Sequence, residues 1–246
     1  MTLTRSKKDP DDLAALIARQ MAALDQRMAD VPPEERAAAA ELERAISRRR
    51  QLEDLGWDRR PLDLATSAAY DEGRAAPYLA ALRGLDDGAE GGVVVLTGVP
   101  GSGKTAAAAR WASTRERPTR FLRAAEFFRS SRYDAAAIEA GALTRDAILR
   151  TGALVLDDLG AEYADAHGNY RVDLDELIDR FYAGKRTLVI TTNIRFGTER
   201  ARDAAGDEHK GAETFEGRYG ARVADRLREC GRWVASSSSS MRRAGR

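Results

Sequence analysis

The feature that most constrains this chain is the segment Gly98–Thr105, which reads Gly-Val-Pro-Gly-Ser-Gly-Lys-Thr. It matches the phosphate-loop pattern G-x-x-x-x-G-K-[ST] in full. The β-branched run 93–96 precedes it and the helix-forming run 106–111 follows it, so the motif lies between a predicted strand and a predicted helix. Glycines allow the backbone N–H groups to face phosphate oxygens, and the helix N-terminus adds its dipole. The segment therefore predicts a site for a nucleoside triphosphate, with ATP and Mg²⁺ as the expected ligands.

The residues of this loop have distinct predicted roles. Lys104 is expected to reach the β- and γ-phosphates, and Thr105 to offer its hydroxyl to Mg²⁺. The alternative is a chance glycine-rich turn, which the strand and helix on either side argue against. The predicted nucleotide-binding residues of the loop are Gly98, Pro100, Gly101, Ser102, Gly103, Lys104 and Thr105.

A second apolar strand, residues 153–157, ends in the two carboxylates Asp157 and Asp158. In open α/β sheets such strand ends lie on the edge where ligands bind. We expect Asp157 to hold Mg²⁺ and Asp158 to polarise the attacking water. The alternative is an acidic turn. Asn193 follows the predicted strand 187–192, and we expect this strand to lie between the other two, where the amide orients the water.

Strands that alternate with helices predict an α/β fold with a parallel, doubly wound sheet. Upstream, the apolar spacing predicts a helix over 11–30 and another over 33–55, followed by an irregular linker over 56–73 and a helix over 75–85. The two long helices form a small appendage whose alternatives are a partner-binding element and a solvated spacer. The predicted strands are 93–96, 119–124, 153–157, 187–192 and 231–235.

Composition excludes several classes of protein and of site. The single cysteine, Cys230, excludes an intramolecular disulfide, and with two histidines it supplies too few ligands for a zinc site. No run of about 18 apolar residues is present, so we expect a cytoplasmic protein without a membrane partner. The net charge is +1, yet residues 218–246 carry eight arginines. This basic end indicates a nucleic acid or acidic partner, or a solvated surface.

Four blocks of sequence together resemble the AAA+ ATPases of the DnaC/DnaI helicase-loader and IstB families. They are the phosphate loop, Leu-Val-Leu-Asp-Asp-Leu-Gly (154–160), Ile-Thr-Thr-Asn (190–193) and Arg-Tyr-Gly-Ala-Arg-Val-Ala-Asp-Arg-Leu (218–227). The resemblance covers residues 75–235 and is closest to DnaC-type loaders. It implies an AAA+ P-loop ATPase that lacks a full C-terminal lid. The implied division is a helicase-binding region over 1–60, an ATPase domain over 61–235 and a Ser/Arg-rich tail over 236–246.

The resemblance also implies a function. A loader hydrolyses ATP to place a hexameric replicative helicase on single-stranded DNA, and its N-terminal helices bind that helicase. The alternative is an IstB-type helper of DNA transposition, which shares the ATPase core. A metabolic P-loop kinase, the third candidate, is disfavoured by the Asp-Asp-Leu-Gly and Thr-Thr-Asn blocks.

In this family ATP lies between subunits, so self-assembly is implied, and Arg222 matches the arginine that completes a neighbour's site. Arg226 is a second arginine implied to lie near the nucleotide, although both arginines fit a solvated basic stripe as well. The region implied to contact single-stranded DNA has aromatic residues beside arginines, although its two phenylalanines are more typical of a helix core. Its residues are Phe127, Phe128, Arg129, Arg132 and Tyr133.

Overall fold

The computed structural model describes residues 15, 18–21, 31–67, 70–85, 91–130, 143–161, 169–194 and 214–235. The strands are β1 (Val93–Thr97), β2 (Arg120–Arg123), β3 (Ala153–Leu159), β4 (Thr187–Thr192) and β5 (Gly231–Ala235). The helices are α1 (Pro33–Asp54), α2 (Arg59–Thr66), α3 (Glu72–Arg83), α4 (Lys104–Thr114), α5 (Ala124–Arg129), α6 (Arg145–Leu149), α7 (Asn169–Ala183), α8 (Phe215–Tyr219) and α9 (Ala221–Cys230).

Among the described residues, five strands form one sheet in the order β2-β3-β4-β1-β5, and every neighbouring pair is parallel. This confirms the predicted α/β fold with a parallel sheet. It also confirms that β4 lies between the strand before the phosphate loop and the strand that ends in two aspartates. The carboxyl ends of β1, β3 and β4 therefore lie side by side at the edge where α/β proteins bind ligands.

Both faces of the sheet are covered, which is why the central strands β1, β3 and β4 are buried along almost all of their length. Alternate residues of each strand enter different cores. In β1, Val93 and Val95 pack with α7 and α9, whereas Val94 and Leu96 pack with α3 and α4. Helices on both faces of a parallel sheet define the doubly wound arrangement.

The chain divides into two compact units, Met1–Arg48 and Arg49–Arg246. Within the larger unit, Leu52 and Trp57 are buried, and the Trp57 indole Nε1 donates to the Thr119 carbonyl over 2.8 Å. Compact packing in this unit therefore begins before residue 60. As functional regions, residues 1–60, 61–235 and 236–246 stay a prediction. The tail 236–246 lies outside the described residues, as does most of the first predicted helix. None of the described helices has the length and apolar character needed to cross a membrane.

The predicted irregular linker contains a helix, α2, which the sequence did not signal. Its Leu62 and Ala65 are buried, three residues apart on one face. Pro61 lies in the first turn of α2, where a missing N–H costs no helical hydrogen bond. A helix of eight residues is too short for its periodicity to stand out, so packing against the core decides it.

Arg145 is a buried cation that joins three helices next to the sheet. Its side chain is 5% exposed and pairs with Asp173 of α7. The guanidinium also donates to the Phe127 carbonyl of α5 over 3.2 Å and lies over the Phe127 ring. Breaking a buried pair by removing one partner is costly, because the other charge stays buried.

We therefore expect Arg145→Met to lower the free energy of unfolding by about 3 kcal/mol, measured by urea denaturation. The matched control is Arg150→Met, because the ion pair of Arg150 with Asp146 is exposed on both sides. The control should lose less than about 1 kcal/mol. Equal losses in the two variants would contradict a special role for the buried pair.

Candidate nucleotide-binding site

The phosphate loop connects the end of β1 to the start of α4, as the motif predicted. Gly101 and Gly103 have φ values of +83° and +92°, in the left-handed region that side chains disfavour. Gly103 is also the N-cap of α4, an 11-residue helix whose first residue is Lys104. The loop therefore turns its backbone at the N-terminus of a helix, the arrangement that binds anions.

Lys104 is buried in this loop, with 7% of the residue exposed. Its Nζ donates to the carbonyls of Gly98 and Val99 over 2.9 and 3.1 Å, and to Asn193 Oδ1 over 2.9 Å. These acceptors are all neutral oxygens. An ammonium group makes stronger hydrogen bonds to anionic oxygens, so the arrangement suits an incoming phosphate.

Thr105 and Asp157 meet across the site. Thr105 Oγ1 donates to Asp157 Oδ1 over 2.8 Å. Burial raises the pKa of Asp157, while the hydrogen bonds from Thr191 and Thr105 act to lower it. A carboxylate beside a hydroxyl is the oxygen-donor set that Mg²⁺ uses in phosphate sites, so these two residues fit that ion.

A β-bulge in β3 places the two aspartates. Leu156 pairs with Ile190 and Leu159 with Thr192, so Asp157 and Asp158 together oppose the single residue Thr191. The Asp158 backbone has a φ of +58°, unusual for a residue other than glycine. Bulges of this kind re-aim side chains next to active sites. Here the bulge buries the Asp157 carboxylate and leaves Asp158 exposed.

Thr191 holds both aspartates through one hydroxyl, a role that sequence reasoning missed. Its Oγ1 donates to Asp157 Oδ1 over 2.7 Å and accepts from the Asp158 backbone N–H over 2.9 Å. The Thr-Thr-Asn block contained this residue, but no pattern in it indicated a bulge on the neighbouring strand. Only the pairing of β3 with β4 reveals the contact.

Asn193 connects the two halves of the site, as its position at the end of β4 suggested. Its Oδ1 accepts from Lys104 Nζ, and its Nδ2 donates to Asp158 Oδ1 over 3.2 Å. One amide therefore contacts the residue predicted to bind phosphate and the residue predicted to polarise water.

Gly160, nearby, has a φ of +108°, and a Cβ there would lie 2.5 Å from the Ile194 side chain. Both facts explain the glycine of the Asp-Asp-Leu-Gly block.

The two candidate arginines lie on α9 and pair with acidic residues of α7. Arg222 Nε lies 2.9 Å from Asp175 Oδ2, and the Arg222 side chain is 77% exposed. Arg226 Nε lies 3.0 Å from Asp179 Oδ1 and is more covered. Their predicted roles at a nucleotide stay predictions, because those roles involve a second copy of the chain.

The structure describes three of the five residues predicted to contact DNA, namely Phe127, Phe128 and Arg129. Phe127 is fully buried, and Phe128 packs against the same core cluster, as the core alternative predicted. Arg129 Nε donates to the Ala125 carbonyl of its own helix over 3.0 Å. Arg132 and Tyr133 lie outside the described residues. A DNA-binding role for these positions stays a prediction.

The family model described as "IstB-like ATP binding protein" matches residues 17–209. The chain belongs to this family. The match confirms the resemblance drawn from the four sequence blocks, and ATP is the ligand of the family. No curated protein matches the chain significantly.

Solved structures that this chain is similar to include DnaI and the DnaC helicase loader. DnaI is 20% identical to this chain and superposes with a TM-score of 0.51. The aligned region covers 74% of this chain and 95% of the DnaI chain. The DnaC helicase loader is 22% identical, covers 67% of this chain and 90% of its own, and has a TM-score of 0.48. At 20% identity, the likeness to DnaI shows that the two proteins share a fold and shows nothing further.

Proposed function

We propose that this IstB-like protein hydrolyses ATP in a Mg²⁺-dependent reaction. The observation that carries the proposal is the double contact of Asn193, which joins Lys104 to Asp158. A loop that only binds nucleotide needs no such connection. Hydrolysis needs one, because the γ-phosphate and the base that polarises the water must be held at a fixed position relative to each other.

Each residue then has a role in this reaction. Lys104 binds the β- and γ-phosphates, and Thr105 and Asp157 hold Mg²⁺, which supplies charge stabilisation to the phosphates. Asp158 accepts a proton from the attacking water, and Asn193 orients that water. The exposure of Asp158 suits this role, because water reaches it without a conformational change.

We further propose that chains assemble through the ATP site, with Arg222 entering the site of the next subunit. The side chain of Arg222 is 77% exposed, whereas that of its partner Asp175 on α7 is only 14% exposed. An exposed arginine can change partner when a neighbouring chain presents a more highly charged anion, such as the phosphates of a bound nucleotide. Arginines supplied by a neighbour stabilise the charge of the transition state.

As the client of this ATPase we propose a hexameric replicative helicase, which the protein would load onto single-stranded DNA. Support comes from the unit that precedes Arg49, where α1 exposes two apolar side chains one turn apart. Leu42 is 62% exposed and Ile46 is 44% exposed. Exposed apolar residues at i and i+4 on a helix suit insertion into a partner's groove.

A transposition helper of the IstB type is the second candidate. The family match over residues 17–209 favours it, because that family is named for IstB. In this function the same ATP site would control assembly on duplex DNA and contact with a transposase. The two candidates therefore differ in client and in DNA form, whereas the chemistry is shared.

The double variant Leu42→Asp/Ile46→Asp tests the proposed client in the full-length chain. We expect its affinity for the replicative helicase to fall about 30-fold or more, because a few anchor residues contribute most of the binding free energy of an interface. Biolayer interferometry measures this affinity. ATP affinity should not change. The matched control is Leu64→Asp, which alters an exposed leucine of α2. If the wild-type chain ignores the helicase but binds duplex DNA with a transposase, the transposition function is correct instead.

A further inference from the structure

Tyr78 of α3 lies beneath the phosphate loop and is fully buried. Its hydroxyl lies 2.8 Å from the Thr97 carbonyl and 3.2 Å from Ser102 Oγ. Thr97 is the last residue of β1, and Ser102 is a buried residue of the loop itself. The tyrosine therefore contacts both the strand that leads into the loop and the loop that is predicted to hold the phosphates.

The direction of these hydrogen bonds follows from the groups at either end. A carbonyl only accepts, so the single Tyr78 proton is donated to Thr97. Ser102 must then donate to the Tyr78 oxygen. An ammonium only donates, and Lys104 Nζ lies 3.4 Å from Ser102 Oγ. The chain of bonds thus runs from Lys104 through Ser102 and Tyr78 to Thr97.

This chain links the phosphate-binding lysine to a helix that supplies no other residue to the site described above. The surroundings of Tyr78 on α3 are apolar, with Ala75, Leu79 and Leu82 buried in the same cluster. In such surroundings a polar group without a partner is costly, so the loop is held in the conformation that keeps all these bonds.

We propose that Tyr78 is a positioning residue that holds the phosphate loop ready for nucleotide through Ser102. This inference rests on the proposed binding of ATP at the loop. Tyr78 touches no nucleotide itself. It acts by removing the free-energy cost of ordering the loop upon binding, so it should affect nucleotide affinity more than the rate of the chemical step.

Tyr70 provides a matched control a short distance along the chain. Its hydroxyl oxygen is also buried, but no described residue gives it a hydrogen bond. A Tyr-to-Phe change removes a buried hydroxyl group at both positions. If the loss of any buried tyrosine hydroxyl weakened nucleotide binding, both variants would bind more weakly. If the loop contact is what matters, only Tyr78→Phe should bind more weakly.

The test compares Tyr78→Phe, Tyr70→Phe, Ser102→Ala and Tyr78→Phe/Ser102→Ala in the full-length chain. The dissociation constant for a fluorescent ATP analogue is titrated in Mg²⁺, and kcat is measured at saturating ATP. We expect Tyr78→Phe to weaken analogue binding about 10-fold with kcat changed less than about 2-fold, and Tyr70→Phe to bind normally. The double variant should bind no more weakly than the weaker single variant, because both changes break one chain.

Two results would overturn the inference. In the first, Tyr78→Phe binds the analogue as tightly as the wild type, even if its melting temperature falls, and the hydroxyl then serves stability alone. In the second, the losses of the two single variants multiply in the double variant, so Tyr78 does not act through Ser102. A wild-type chain that fails to bind the analogue refutes the proposed ATP function itself, which is a different outcome.

Discussion

Lys104→Ala is expected to weaken ATP binding about 100-fold or more, because it removes the charge-assisted hydrogen bonds to the phosphates. The variant should nevertheless fold. In the free protein Lys104 is a buried cation bonded to neutral oxygens, so its desolvation offsets much of what those bonds contribute. We expect the free energy of unfolding without nucleotide to change by no more than about 1 kcal/mol.

Isothermal titration with ATP and Mg²⁺, together with urea denaturation of the free chain, measures both effects. Arg110→Ala is the matched control, because it removes a cation from the same helix and its ion pair with Glu72 is at the surface. That variant should bind ATP within about 2-fold of the wild type. An unchanged affinity in Lys104→Ala would place the nucleotide elsewhere. A collapse of folding would mean that the lysine is chiefly structural.

Arg222→Ala is expected to lower ATP hydrolysis about 1,000-fold at protein concentrations where chains assemble, since an arginine from a neighbour stabilises the transition state. ATP affinity of the isolated chain should stay the same, because Arg222 pairs with Asp175 and not with the phosphate loop. The control is Arg228→Ala. Arg228 lies on the same helix and forms ion pairs with Glu216 and Asp225 of its own chain. Steady-state hydrolysis as a function of protein concentration measures the difference.

A mixture of two inactive variants tests the assignment more sharply. Lys104→Ala lacks the phosphate-binding lysine and Arg222→Ala lacks the arginine, so each assembly alone is inactive. In a head-to-tail assembly of both, about one interface in four combines an intact lysine with an intact arginine. Hydrolysis should therefore return in the mixture. A mixture without activity, or loss of ATP binding by Arg222→Ala alone, would contradict a role in the neighbouring site.

Much of the fold was predictable because its signals are local. A parallel strand covered on both faces is largely apolar and buried, which made β1, β3 and β4 visible in the sequence. The predicted edge strands β2 and β5 are present too, with errors of at most one residue at their ends. The phosphate loop was equally visible, since the glycines at 101 and 103 are required by backbone angles within the loop itself. Helix α2 was missed because its eight residues depend on packing.

The candidate site was predictable in its members and not in its connections. Asp157, Asp158 and Asn193 were expected at one sheet edge because parallel strands end together. The bulge opposite Thr191 could not be expected, because it depends on the register between two strands that lie far apart in the chain. The same holds for Tyr78, which reaches Ser102 across 24 positions.

The sequence by itself determined that this chain has a phosphate loop between a buried strand and a helix, because every requirement of Gly98–Thr105 lies within the segment. Only the tertiary structure decided how that loop is held and connected. Asn193 joins Lys104 to Asp158, and Tyr78 supports the loop from below. These contacts join residues that no local pattern relates. The hydrogen bonds of Tyr78 are buried as well, which makes them costly to lose.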